Sequence, residues 1–318
     1  MTKYFSKSFE DINNSLITDT IKKNSFFSEA NAVDKDIVKK ILSEADLLNI
    51  KFNSIDISSV HANDGYYLSN GLAKSEMLYD FLTSTKIIEI AKNYLGEEFR
   101  LKCHRIYSVS PGVRNPWHTD NKKYGTKTEN SKGLVFMIYL NDVYDGEFQA
   151  IKGSHLFSSQ YKHPNFDEDV INDHSGEITS FKHPMGSIII FDSKTIHRAK
   201  PYYKYLWKRK SLFFQIDNDV KDGEKIIINS RFIKKIDKTI INYLGIGKPA
   251  NMPHEPASTN INTLNYSNIF NIQKRIIVSI IYRTIFLFKS FLTGTFKRKI
   301  QKIFGKNTEV NSKLNSQD

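Results

Sequence analysis

Between residues 99 and 217 the chain alternates short apolar runs with Gly- and Pro-containing turns, and this pattern constrains its fold most strongly. The runs LVFMIYL (Leu134–Leu140) and SIIIF (Ser187–Phe191) are short and continuous, which is typical of strands buried on both faces. Further strands are predicted at Phe99–Val109, Phe148–Ile151, Leu212–Ile216 and Lys225–Ile228. Many short strands at irregular spacing predict an antiparallel double sheet such as a jelly roll.

Helical patterns precede these strands. From Asp34 to Leu48 the apolar residues recur at helical spacing, and a longer helical stretch runs from Ala73 to Leu95 and ends at Gly96. Helices of this length and pattern are expected to form a layer packed on a sheet. The predicted fold class is therefore α+β or mainly β, with one domain over residues 1–257 and its jelly-roll core at about 99–217.

Composition excludes several classes of protein. The chain has 318 residues, of which 40% are hydrophobic, so it can bury a sizeable core. Its single cysteine, Cys103, permits neither an intrachain disulfide nor a multi-cysteine zinc site, and it is predicted to be a small buried hydrophobe. The polar N-terminus has no apolar signal region, which predicts a cytoplasmic protein.

Residues 258–318 differ from the rest and are predicted to form a linker and a basic amphipathic helix with a tail. From Thr259 onward the chain has ten Lys or Arg residues and two acidic residues. This segment therefore carries a net charge of +8, out of +12 for the whole chain. The apolar run Ile276–Leu292 would span about 25 Å as a helix, short of the roughly 30 Å hydrocarbon core. Residues 273–306 therefore fit peripheral contact with an anionic membrane, while a helix packed on the domain remains the alternative. The mildly basic main domain argues against nucleic-acid binding.

The segment PWHTD (116–120) contains a His-x-Asp pattern. Side chains two residues apart on an extended chain point to the same side, so His118 and Asp120 can reach one metal ion. His197, just after the buried strand SIIIF, supplies a third ligand. Two histidines and one carboxylate on one face leave coordination positions open, which is the triad of non-haem Fe(II) oxygenases.

Arg209 follows His197 at the start of an apolar strand, with Ser211 on the same face. A guanidinium group can bind a carboxylate through two parallel hydrogen bonds, and a neighbouring hydroxyl can add a third. The pair is therefore a candidate site for the distal carboxylate of 2-oxoglutarate. The alternative is that Arg209 belongs to the solvated charged run Lys208–Lys210.

Four stretches in this order resemble the phytanoyl-CoA dioxygenase family of the Fe(II)/2-oxoglutarate oxygenase superfamily. They are PWHTD (116–120), YLNDVYDGEFQAIKGSH (139–155), GSIIIFDSKTIHRAKP (186–201) and RKSLFF (209–214). Lys152, Ala199 and Glu147 depart from the family pattern, and Ala199 replaces a serine that helps to bind the oxoacid in several members. The resemblance leaves Arg209, Ser211 and Tyr107 to anchor 2-oxoglutarate, although Tyr107 also fits a packed core residue.

The resemblance implies a double-stranded β-helix, or jelly roll, that uses Fe(II), 2-oxoglutarate and O₂. The expected activity is hydroxylation of a small-molecule or lipid-linked substrate, with His118, Asp120 and His197 as iron ligands. The expected location is the cytoplasm, with the tail touching the inner face of a membrane. Two other classes remain open: a catalytically silent jelly roll that binds metal or lipid, and a metal hydrolase on the same triad.

Overall fold

The fold is described by a computed structural model. It describes residues 3–45, 59–62, 65–68, 71–109, 117–121, 131–157, 173–202, 208–221, 223–224, 226–233 and 237–250, with Ile277, Ile281 and Thr284 as single positions. The strands are β1 Phe26–Glu29, β2 Ser59–Ala62, β3 Gly65–Leu68, β4 Arg100–Val109, β5 Gly133–Tyr139, β6 Phe148–Ile151, β7 Ile178–Phe181, β8 Ile188–Asp192, β9 His197–Ala199 and β10 Arg209–Asp217. The helices are α1 Lys7–Asp11, α2 Asn14–Asn24, α3 Lys35–Ala45, α4 Gly71–Lys74, α5 Glu76–Leu82, α6 Thr85–Leu95 and α7 Lys238–Leu244.

The strands form two antiparallel sheets. The large sheet has the order β1-β8-β5-β10-β4-β3-β2, and the small sheet has the order β7-β6-β9. Apart from the local hairpin of β2 and β3, neighbouring strands in the large sheet are distant in sequence, so most of its pairings are non-local. This mixed fold of helices and antiparallel sheets agrees with the predicted class.

The centre of the large sheet separates two apolar layers. Successive side chains of a strand point to opposite faces. In β5, Leu134, Phe136 and Ile138 pack with the helices, whereas Val135, Met137 and Tyr139 pack with residues of the small sheet. β8 and β10 follow the same alternation. The two sheets therefore face each other, as in the predicted jelly roll, and the helices cover the outer face of the large sheet.

The helical layer departs from the prediction at one place. The continuous helix expected over Ala73–Leu95 is three helices, α4, α5 and α6, interrupted at Ser75 and at Thr83–Ser84. The Ser75 side chain accepts a hydrogen bond from the Leu78 amide at 2.9 Å, so it starts α5 as an N-cap. The predicted end at Gly96 is confirmed, with φ at 96°.

The prediction of a strand at Lys225–Ile228 is wrong for residues 226–228, which are the ones that the structure describes. Residues 226–228 are irregular, and Ile226 and Ile228 pack against the helical side of the core. The neighbouring Asn229 amide bonds to the Leu72 carbonyl at 3.3 Å and so joins α4 instead of a strand. Conversely, β1, β2, β3, β7 and β9 were not predicted.

The predicted linker and helix over 258–318 lie outside the described residues except for three positions. Among the residues that the structure does describe, none belongs to a helix with the length and apolarity needed to cross a bilayer.

Candidate metal centre and cosubstrate pocket

A reciprocal pair of backbone hydrogen bonds joins His118 to His197. Each amide donates to the other residue's carbonyl at 2.9 Å, which extends the small sheet beyond β9. Residues directly opposite in an antiparallel pair project from the same face. The two imidazole ring centroids accordingly lie 4.3 Å apart. Two segments that are distant in sequence thus present their histidines side by side.

Asp120 completes the cluster. It follows His118 by two residues, and its Oδ2 lies 3.7 Å from Nε2 of His197. One possible ligand atom from each of His118, Asp120 and His197 lies within 4.8 Å of the others. The structure therefore brings together the three residues that the sequence predicted as one group.

The protonation state of His197 suits a divalent metal ion, and a bound cation would offset the burial that raises the pKa of Asp120. Nδ1 of His197 lies 2.9 Å from the Thr195 carbonyl, which only a protonated nitrogen can bind, and this leaves Nε2 as the unprotonated atom. Burial, and then the nearby His118, hold the pKa of His197 well below its usual value, so the ring is neutral. Asp120 Oδ2 is buried without a hydrogen-bond partner among the described residues. A neutral imidazole nitrogen beside a carboxylate oxygen without a partner fits Fe(II), whose ligands in such triads are of these types.

Aromatic side chains surround His197. The rings of Phe191 and Phe148 have centroids 4.8 and 5.2 Å from its imidazole. Phe191 belongs to the large sheet and Phe148 to the small sheet, so the ring lies between the two sheets. This apolar wall limits access of water to one side of the cluster.

Arg209 is buried inside the barrel, with 5% of its surface exposed. Its neighbour Lys208 is exposed, so the interpretation of residues 208–210 as one solvated run is wrong for Arg209. One guanidinium nitrogen donates to the Gly146 carbonyl, whereas Nε has no hydrogen-bond partner among the described residues. Burial lowers the pKa of Arg209, while Tyr139, Tyr202, Glu147 and Tyr107 act in the opposite direction. A buried cation with an unsatisfied donor is well suited to bind an anionic ligand.

Ser211 and Tyr107 lie on the same inward face as Arg209. Ser211 is directly opposite Tyr107 on β4 and Tyr139 on β5. The Tyr107 ring packs edge-on against Phe213 at 6.0 Å, and burial raises its pKa to about 12, so the phenol stays neutral. The structure thus places all three predicted cosubstrate residues in one part of the barrel.

Sequence reasoning missed Tyr139, whose hydroxyl links the two sheets. It donates to the Phe181 carbonyl and accepts from the Phe148 amide, both at 2.9 Å. Sequence reasoning also missed a cluster of polar side chains at the other end of β10. The cluster is formed by Lys102, Asn121, Gln215 and Asp217. The signal in the sequence was a pair of polar residues two positions apart, Gln215 and Asp217, at the end of an otherwise apolar stretch of β10.

The sequence model of one protein family matches most of the structured part of the chain. The family is described as phytanoyl-CoA dioxygenase, PhyH, and the match covers residues 22–202. The chain belongs to the phytanoyl-CoA dioxygenase family. Membership confirms the predicted enzyme class, a non-haem Fe(II)- and 2-oxoglutarate-dependent dioxygenase, and the cofactors that go with it. A comparison with curated protein sequences found no significant match.

Solved structures agree with this family's fold. The carbocyclase SnoK from nogalamycin biosynthesis, described as non-heme and alpha-ketoglutarate dependent, superposes with a TM-score of 0.52 and 14% identity. That match covers 66% of this chain and 85% of SnoK. The epimerase SnoN, in a complex with Fe³⁺, alpha-ketoglutarate and nogalamycin RO, gives a TM-score of 0.50 and 17% identity over 71% of this chain and 91% of SnoN. At these identities the likeness establishes the fold alone.

Two of the three departures from the phytanoyl-CoA dioxygenase family pattern, Ala199 and Glu147, lie at the Arg209 end of the barrel, whereas Lys152 follows the opposite end of β6. Ala199 is directly opposite Phe148 in the small sheet and is buried. Glu147 is 1% exposed and binds Lys200 Nζ at 3.2 Å. Neither residue contributes to the His118–Asp120–His197 cluster.

Proposed function

We propose that the chain is an Fe(II)- and 2-oxoglutarate-dependent dioxygenase that hydroxylates a small-molecule or lipid-linked substrate. In this proposal His118, Asp120 and His197 hold the metal ion. The observation that carries the proposal is the convergence of these side chains, with Nε2 of His197 and Oδ2 of Asp120 facing each other at 3.7 Å. The bound metal would supply the redox chemistry that couples substrate oxidation to the conversion of 2-oxoglutarate and O₂ into succinate and CO₂.

Arg209, Ser211 and Tyr107 would bind and orient 2-oxoglutarate. The unsatisfied Nε of Arg209 and the charge of its guanidinium suit the distal carboxylate. Ser211 and Tyr107 add hydroxyl groups on the same face. Because Ala199 has no hydroxyl, these three residues would carry all of the side-chain contacts that we assign to the cosubstrate. The rings of Phe148 and Phe191 would exclude water beside His197.

The proposal is tested by succinate release. Protein purified without oxygen and loaded with Fe(II) is expected to convert 2-oxoglutarate to succinate only when O₂ is admitted, as measured by mass spectrometry. Protein kept under argon is the control. Failure to release succinate would favour a catalytically silent metal- or lipid-binding module. Turnover of an ester or amide panel that is independent of O₂ would favour a hydrolase.

The basic tail provides the basis for a lipid-linked substrate. We propose that residues 273–306 bind anionic membranes, because most of the net charge and a long apolar run lie there together. Deleting residues 272–318 is expected to leave Fe(II) binding unchanged and to abolish flotation with anionic vesicles. Neutral vesicles are the control, and added salt should weaken binding because surface charges are screened over about 8–10 Å. A full-length chain that ignores anionic vesicles would refute this contact.

A further inference from the structure

Four polar side chains are buried together at the end of the barrel that lies opposite Arg209. They are Lys102 on β4, Asn121 just after the His-x-Asp segment, and Gln215 and Asp217 on β10. Their exposed fractions are 5%, 1%, 4% and 1% respectively. We call these four residues the polar clamp.

The members of the polar clamp bind one another at short range. Lys102 Nζ lies 2.7 Å from Asp217 Oδ2 and donates to Asn121 Oδ1 at 2.8 Å. Gln215 Nε2 donates to Asn121 Oδ1 at 3.0 Å and to Asp217 Oδ1 at 2.9 Å. Asn121 Nδ2 donates to Asp217 Oδ2 at 3.1 Å and to Ser131 Oγ at 3.4 Å. Asn121 and Asp217 each bind the other three members, and Asn121 is the one member that lies outside β4 and β10.

A β-bulge puts Lys102 in this position. The register between β10 and β4 shifts at Gln215/Ile216, so that Gln215 is opposite Cys103 and Ile216 is opposite Leu101. Lys102 is the extra residue, and it points inward with Cys103 while Leu101 packs with the helices. Bulges commonly redirect a side chain beside a functional site.

Stability alone does not account for the polar clamp. Burying a Lys–Asp pair requires desolvation of both charges, and replacing such a pair with apolar residues is often neutral or stabilising. An inward-facing apolar residue would continue the packing of Val135, Phe191 and Phe213. The cluster is better explained by its effect on Asn121, the residue whose position it fixes.

Asn121 directly follows Asp120 in the sequence. The bridge to His197 holds His118, but it does not include Asp120 or Asn121. On the far side of Asp120, the Asn121 amide donates to the Ser193 carbonyl at 3.0 Å and its side chain is held by the polar clamp. Asp120 thus lies between two anchors, and Oδ2 of Asp120 has no hydrogen bond of its own among the described residues. Its orientation depends on the backbone at both sides.

We propose that the polar clamp is a positioning device that sets the orientation of the Asp120 carboxylate toward the metal ion. The clamp acts through Asn121 and the backbone, and its four residues are positioning residues with no contact to the metal assigned to them. This inference rests on the proposed function, because it assumes that Asp120 is a metal ligand. Residues that orient a metal ligand typically contribute ten- to hundredfold in metal affinity.

The test is a Co(II) titration of the full-length protein without oxygen, with Co(II) as a spectroscopic probe. Asn121→Ala is expected to raise the Kd for Co(II) by about ten- to hundredfold and to alter the visible absorption spectrum, which reports the coordination geometry. Lys86→Met is the matched control. Lys86 is 7% exposed and donates to the carbonyls of Glu10 and Ile12 at 3.1 and 2.6 Å, in the helical layer. The Lys86→Met substitution should lower the melting temperature and leave the Kd for Co(II) and the visible spectrum unchanged.

Gln215→Met covers the case in which Asn121→Ala does not fold. It removes two hydrogen bonds and leaves the Lys102 contacts in place, so a smaller rise in Kd is expected. A Kd and spectrum equal to those of the wild type in a folded Asn121→Ala protein, or in Gln215→Met alone if Asn121→Ala does not fold, would overturn the inference. A wild-type protein that binds no Co(II) or Fe(II) would instead overturn the proposed function, and this inference with it.

Discussion

Replacing His118 or His197 with alanine is expected to abolish Fe(II)-dependent succinate release while the fold is retained. Each change removes one nitrogen from a cluster whose ligand atoms lie within 4.8 Å of one another. The loss in Fe(II) affinity should exceed the ten- to hundredfold that loss of an orienting residue costs, because a ligand itself is removed. Anaerobic Fe(II) titration and succinate assay measure the two effects, and circular dichroism monitors the fold.

A histidine outside the cluster provides the control for this experiment. His155 lies 3.1 Å from the Lys22 carbonyl through its Nε2, outside the triad. His155→Ala should leave Fe(II) affinity and succinate release near the wild-type values. If both triad variants also keep wild-type Fe(II) affinity, the assignment of the metal ligands is wrong.

The second large effect concerns Arg209. Arg209→Ala is expected to raise the KM for 2-oxoglutarate by roughly ten- to a hundredfold, because a charge-assisted hydrogen-bonded pair contributes about 1.5–3 kcal/mol. Arg209→Lys should fall between the wild type and Arg209→Ala, since it retains the charge and loses the planar fork. Steady-state kinetics at varied 2-oxoglutarate concentration measure both variants.

The neighbouring lysines make this test specific. Lys208, just before β10, is exposed, and Lys210, the second residue of β10, is half-buried, so the two lysines flank Arg209 in the sequence. Lys208→Ala and Lys210→Ala are expected to change the KM by less than about twofold, because a solvated charge contributes little to binding. Three equal effects would show that general positive charge, and not the inward guanidinium, attracts the cosubstrate.

The sequence predicted the long buried strands because their pattern is local. LVFMIYL and SIIIF overlap β5 and β8 in all but Leu140 and Ser187, and the strand predicted from Leu212 is part of the longer β10. β1 and β7 are short and partly polar, and they form because β8 and β6 offer edges to pair with. Such pairings are not visible in the residues themselves, so these strands were missed.

The features of the candidate site also divide into those that the sequence predicted and those that it did not. His118 and Asp120 were predictable because their spacing is local, and Arg209 because it begins an apolar strand. The bridge between His118 and His197, the buried state of Arg209 and the polar clamp depend on register. The bulge at Lys102 changes which side chains point inward, and no periodicity in the sequence indicates it.

The alternation along β10 limits how this chain can diverge. Arg209, Ser211, Phe213, Gln215 and Asp217 face the barrel interior, whereas Leu212, Phe214 and Ile216 face the helices. Inserting or deleting one residue would exchange the two sets, burying charged groups among the helices and placing apolar ones in the barrel. Descendants of this protein can therefore alter the interior along β10 one substitution at a time, whereas a change of length within β10 must be absorbed by a bulge, as at Lys102 in β4.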